Sequence, residues 1–187
     1  MRLTRGLIQV YTGPGKGKTT AALGLALRAV GHGLRVCMVQ FMKEEWKSGE
    51  RKAAERLAPD LEIHCFGSRQ WGDRSQVSPG TPWWQLPPSD EDRRKAQEGI
   101  AFACQAVMGG DYDIVVLDEV FGALRLGLIA LEQVMELLRG KPERVEIVLT
   151  GRDAPPEVLE AADLVTEMNA VKHPFDRGIE ARRGIEY

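Results

Sequence analysis

Cysteine is scarce in this chain, and its spacing pairs none of it. Cys37, Cys65 and Cys104 are the three present, and no C-x-x-C pair occurs among them. That excludes a dithiol redox motif or a zinc-ribbon spacing and leaves buried free thiols as the expectation. Long apolar runs are missing as well: nothing approaches the roughly 20 residues that cross a bilayer, so no membrane is expected. The N-terminal residues pass almost at once into a strand-like run, which leaves no room for a signal peptide and points to the cytoplasm. A basic excess is also lacking. Lys and Arg number 25 against 27 Asp and Glu, a net charge of -2, whereas a general nucleic-acid binder carries surplus positive charge, so no nucleic-acid partner is expected. What remains is a chain of 187 residues with 43% apolar content, enough to close one core.

The stretch around which the chain is organised is Thr12-Gly13-Pro14-Gly15-Lys16-Gly17-Lys18-Thr19-Thr20. It follows the apolar run Leu7–Tyr11 and precedes a helical pattern beginning Ala21-Ala22-Leu23. Strand, glycine-rich turn and helix in that order form the context of a phosphate-binding loop. Successive backbone N–H groups at Gly13, Gly15 and Gly17 make an anion nest, and the helix N-terminus adds partial positive charge. Lys18 is expected to reach phosphate oxygens and the Thr19 hydroxyl a magnesium ion. The alternative is a turn that only caps the helix. One departure is plain: counting back from Gly17, the position that usually opens the loop is Thr12, and Gly13 lies one residue too close.

Strand-like and helical patterns alternate through the rest of the chain. Arg35–Phe41, Leu61–Phe66, Tyr112–Glu119, Val145–Thr150 and Leu164–Met168 read as strands. Helices are expected from the loop to about Val30, after Ser48-Gly49-Glu50, over Asp90–Met108 with Ser89 as N-cap, over Ile129–Arg139, and from Pro155 through Ala162. His32 reads as a surface residue at the first helix's end, beside Gly31 and Gly33. This alternation predicts an α/β domain with a mostly parallel sheet flanked by helices, undivided by any linker. The fourth strand runs into Asp118 and Glu119. A buried strand delivers such carboxylates to the sheet's carboxyl edge beside the loop, which makes both candidate magnesium ligands together with Thr19. Arg152, at the end of the fifth strand, is a candidate for phosphate or ribose; a plain surface arginine is the alternative.

Between Gly67 and Asp90 lie Pro79, Pro82, Pro87 and Pro88 and three of the four tryptophans, Trp71, Trp83 and Trp84. This is too long for an ordinary connection. Clustered aromatics suit a flat apolar ligand, or they pin the loop to its own domain.

Taken together, residues 15–29, Val39-Gln40-Phe41, Leu117-Asp118-Glu119, residues 149–155, residues 162–168 and the ending Val171–Phe175 with Gly178–Arg182 resemble the bacterial ATP:corrinoid adenosyltransferases of the cob(I)yrinic acid a,c-diamide type. The resemblance spans roughly residues 6–187. It implies a P-loop NTPase-like (RecA-type) single domain over residues 1–187, with ATP as co-substrate, Mg2+ as cofactor and a corrinoid as substrate. A Co(I) corrin would attack the 5′ carbon of ATP and release triphosphate. It further implies a homodimer and a reductase that supplies Co(I). Lys18 would be the catalytic residue. ATP would contact Gly13, Pro14, Gly15, Lys16, Gly17, Lys18, Thr19, Thr20 and Arg152, in a sense reversed relative to ordinary phosphate-loop enzymes. Trp71, Trp83 and Trp84 stand for the corrinoid contacts. Two features depart from the family: only Met1–Arg5 precede Gly6, where longer members carry a covering segment, and the aromatic motif Gly-Phe-Thr-Trp is replaced near its place by Gly67-Ser68-Arg69-Gln70-Trp71. An ordinary ATPase or kinase, which would yield ADP, and a non-catalytic corrinoid-binding module are the rival readings.

Overall fold

A computed structural model describes residues 2–43, 49–68 and 86–185. Six strands, β1 (Ile8–Thr12), β2 (Val36–Phe41), β3 (Leu61–Phe66), β4 (Ile114–Asp118), β5 (Glu146–Thr150) and β6 (Leu164–Glu167), form one sheet in the order β3-β2-β4-β5-β1-β6. Every pairing among them is parallel, so the sheet goes beyond the mostly parallel one expected. Helices α1 (Lys18–Gly31), α2 (Gly49–Ala54), α3 (Asp90–Met108), α4 (Val120–Arg125), α5 (Leu131–Arg139) and α6 (Pro156–Ala161) complete it, with a short 3-10 turn at Pro174–Arg177.

The central strands are buried throughout because helices cover both faces. Alternation along each strand divides the core. Cys37, Val39 and Phe41 of β2 pack with Val115, Leu117, Ile147 and Leu149 against α3, α4 and α5. Val36, Met38, Val116 and Val148 face the other way, onto α1. The buried apolar stripe of α1 is Ala22, Ala26 and Ala29. Residues this small let the helix axis approach the sheet. His32 is the C-cap of α1, and Gly33 takes the left-handed turn after it. Ser89 caps α3 as expected, in a capping box with Asp92.

Most element ends differ from the sequence reading by one or two residues, and the end of the fourth strand differs in kind. The fourth strand stops at Asp118; Glu119 already has a positive φ of 59° and turns the chain into α4, which the sequence reading passes over. The reason is length: six residues are too few to show a helical period beside a strand of continuous apolar character.

Candidate functional site

The carboxyl ends of β1, β2, β4 and β5 open onto one cleft of about 620 Å³. Three of the exits are bent by a non-glycine residue in the left-handed region: Met42 after β2, Glu119 after β4 and Asp153 after β5, with φ between 57° and 59°. Such conformations cost on the order of 1–3 kcal/mol each and persist where surrounding structure enforces them.

The glycine loop forms the floor. Gly13 and Gly17 have φ of 96° and 117°, values that favour glycine. Gly15 is constrained differently: a Cβ there would lie 2.6 Å from the carbonyl oxygen of Met168 and 2.9 Å from the carbonyl carbon of Asn169. The loop thus rests on the chain just past β6. The Gly15 N–H donates to the Met168 carbonyl at 2.6 Å, and the Met168 N–H donates to that of Thr12 at 2.8 Å. This corrects one expectation, because the Gly15 N–H is spent on bracing the loop and is not part of an open nest. Gly15 to Thr20 line the cleft; Gly13 and Pro14 belong to the loop but not to that lining.

Lys18 is buried, and its ammonium donates to the carbonyls of Gly13 at 2.8 Å and Gly15 at 2.7 Å. Burial lowers its pKa, opposed chiefly by the charge of Glu119. The Thr19 hydroxyl donates to Asp118 Oδ1 at 2.8 Å, joining α1 to β4. Asp118 is fully buried, and donors fill its carboxylate. Thr150 adds a second bond to Oδ1 at 2.7 Å, while Lys43 at 2.7 Å and Gln40 at 3.1 Å hold Oδ2. Thr150 also accepts from the Glu119 N–H at 3.0 Å, so β5, lying between β4 and β1, fixes both carboxylate residues. Glu119 lines the cleft; burial and then the charge of Asp118 raise its pKa. Arg152, an exposed residue after the fifth strand, lines the same cleft.

Among the described residues no group of three His, Cys, Asp or Glu could hold a metal by itself. The donors present, the Thr19 hydroxyl and the Glu119 carboxylate, fit a different case. Mg2+ keeps waters and is bound by one or two carboxylates together with substrate phosphates. Asp118, with both oxygens accepting, is suited to orienting Thr19.

Several lining residues were not singled out from the sequence. Lys43, Glu50 and Ala53 come from the exit of β2 and from α2; His173, Gly184 and Ile185 come from the C-terminal stretch. His173 sits in one of the blocks that carry the resemblance, and that was its only signal. Trp71, Trp83 and Trp84 lie outside the described residues. The flanks of their stretch meet at one buried carboxylate: Asp92 accepts from the Ser68 hydroxyl on one side and from the Ser89 hydroxyl and N–H on the other.

The family model for the ATP:corrinoid adenosyltransferases BtuR/CobO/CobP matches residues 4–187. A corrinoid adenosyltransferase of Pseudomonas aeruginosa is 36% identical over 98% of this chain and 84% of its own length. One of Escherichia coli K12 is 36% identical over 98% and 86%. The corrinoid adenosyltransferase CobA of Salmonella typhimurium is 37% identical over the same shares. With a phosphate-loop floor, a carboxylate pair and an arginine gathered at one sheet edge, and with this match over nearly its whole length, the chain belongs to the ATP:corrinoid adenosyltransferase family.

Proposed function

We propose that residues 1–187 form one domain that transfers the 5′-deoxyadenosyl group of ATP to the Co(I) centre of a corrinoid substrate and releases triphosphate. The observation that carries this reading is the convergence of Lys18, Thr19, Glu119 and Arg152 on one cleft. In the reaction a cobalt–carbon bond forms at C5′ as the C5′–O bond breaks. The electron pair of that bond stays on the α-phosphate oxygen, so negative charge grows on the triphosphate. Lys18 and the first-turn N–H groups of α1 stabilise it where it develops. Lys18 exchanges its bonds to the Gly13 and Gly15 carbonyls for phosphate oxygens. Arg152, which lines the same cleft, takes phosphate or ribose oxygens. No side chain has to remove a proton, because Co(I) is itself the nucleophile. Thr19 and Glu119 would hold Mg2+, with Asp118 orienting Thr19; the cation would add countercharge to the phosphates.

Trp71, with Trp83 and Trp84, contacts the corrin face, a reading supported by their clustering next to the place of the family's aromatic motif. Trp71→Ala should therefore weaken corrinoid binding and leave ATP affinity near wild type, measured by separate titrations; equal loss of both would make the residue a loop anchor. Among the described residues no helix is long and apolar enough to cross a membrane. A homodimer and a Co(I)-supplying reductase are carried over from the resemblance, and the cytoplasm is the location proposed in the sequence reading. The test is incubation with chemically reduced corrinoid and Mg-ATP. Appearance of the adenosylated corrinoid in the visible spectrum with stoichiometric triphosphate supports the reading; ADP as the product would support an ATPase or kinase instead.

A further inference from the structure

We infer that Lys43 is a positioning residue for adenosyl transfer: through its ion pair with Asp118 it keeps that carboxylate off the cation and committed to orienting Thr19, leaving Glu119 as the carboxylate of the site. The inference rests on the reaction proposed above. Lys43 Nζ lies 2.7 Å from Asp118 Oδ2 and 3.7 Å from Glu50 Oε1. Asp118 is fully buried, while the Lys43 side chain is 31% exposed and lines the cleft. The ammonium thus cancels one of two adjacent carboxylate charges, Asp118 and Glu119, at the edge where phosphates are to bind. Without it, Asp118 would be a buried anion with only neutral donors, a costly state that a divalent cation relieves.

The backbone of Lys43 is also fixed independently of its side chain. The Met42 N–H donates to the Phe66 carbonyl at 3.2 Å. A Cβ on Gly67 would lie 2.6–2.7 Å from the oxygen, carbon and nitrogen of Lys43. Glycine at 67 therefore permits the approach that sets the lysine at this point. Gln40, fully buried, bonds both Asp118 and Glu50 at 3.1 Å. Lys43 and Gln40 together tie the β4 carboxylate to α2, whose Gly49, Glu50 and Ala53 form a wall of the same cleft.

The test compares Lys43→Met, Lys43→Arg and the double variant Lys43→Met/Asp118→Asn. Two readouts are used: Mn2+ titration of the protein–ATP complex without corrinoid, followed by electron paramagnetic resonance, and steady-state turnover with reduced corrinoid. In Lys43→Met, Mn2+ should bind more tightly, because Asp118 is released as a ligand, while kcat falls about 10–100-fold, the usual effect of losing an outer-sphere partner, with the corrinoid KM unchanged. Lys43→Arg should reverse both changes. The double variant should lose the tight Mn2+ binding and stay slow. Unchanged or weaker Mn2+ binding in Lys43→Met, or wild-type kcat, overturns the inference. If Lys43→Met does not fold, the double variant, which buries no unpaired charge, decides: wild-type kcat there overturns it, and a 10–100-fold loss that Lys43→Arg does not share supports it. A wild-type protein that forms no adenosylated corrinoid would instead refute the underlying reaction.

Discussion

Replacing Gly15 by alanine separates the loop's bracing from its chemistry. Gly15 does not have a positive φ, so alanine at this position meets no backbone penalty of the left-handed kind. Its added methyl meets a steric one: three atoms, the Met168 oxygen at 2.6 Å and the Met168 and Asn169 carbonyl carbons at 2.9 Å, all main chain. Main chain cannot rotate away as a side-chain tip can, so either the loop lifts or the stretch past β6 retreats. Overpacking of this kind costs about 1–3 kcal/mol. For a chain of this size each kcal/mol lowers Tm by about 2–4 °C, so a drop of roughly 2–12 °C is expected. The loop floor moves with the brace, and a misplacement of about 1 Å near reacting groups costs on the order of 100-fold in rate. Thermal unfolding and kcat/KM for ATP are the two assays. Wild-type values in both would refute the claim that the loop is set by the chain past β6. A fall in Tm with unchanged kcat/KM would refute the link from brace to chemistry.

Other outcomes follow from the same geometry. Lys18→Ala should lose about 2–4 kcal/mol of transition-state stabilisation, and near-wild-type turnover would reject its role on leaving-group charge. Glu119→Gln should raise the Mg2+ concentration for half-maximal rate. Because burial and Asp118 raise the pKa of Glu119, protons compete with the cation as pH falls; the wild-type Mg2+ requirement should climb on the acid side and that of Glu119→Gln should not, and a parallel climb in both would exclude Glu119 as the ligand. Gly24 lies in the interior of α1, exposed, with nothing within 4 Å of an added Cβ; Gly24→Ala should stabilise the protein by about 0.5–1 kcal/mol in denaturant unfolding, and a loss of stability would count against the helix as described.

Much of this was legible because the informative features are local. The run before Thr12, the glycines after it and the helical pattern from Ala21 specify β1, the loop and α1 within 25 residues. Asp118 and Arg152 were readable as strand ends, and the sheet order then brings them to the loop. What escaped depends on partners distant in sequence. The use of the Gly15 N–H is decided by Met168. Lys43 looks like a solvated charge after a strand until β2 is found beside β4, where Gln40 pairs in register with Asp118. Glu119 reads as part of a strand because no apolar period marks the turn that redirects it.

The contact between the loop and Met168 also bears on how the protein is made. A nascent chain emits the loop within its first 20 residues, yet the stretch past β6 that braces it arrives about 150 residues later, a pairing of very long sequence separation. Since chains are synthesised at about 5–20 residues per second, the loop spends about 8–30 seconds without its brace. Nucleotide-binding competence should therefore come late in biogenesis. A ribosome stalled before β6 would hold a chain with most of its sheet and little grip on ATP, so that tight nucleotide binding reports that translation has reached the final strand.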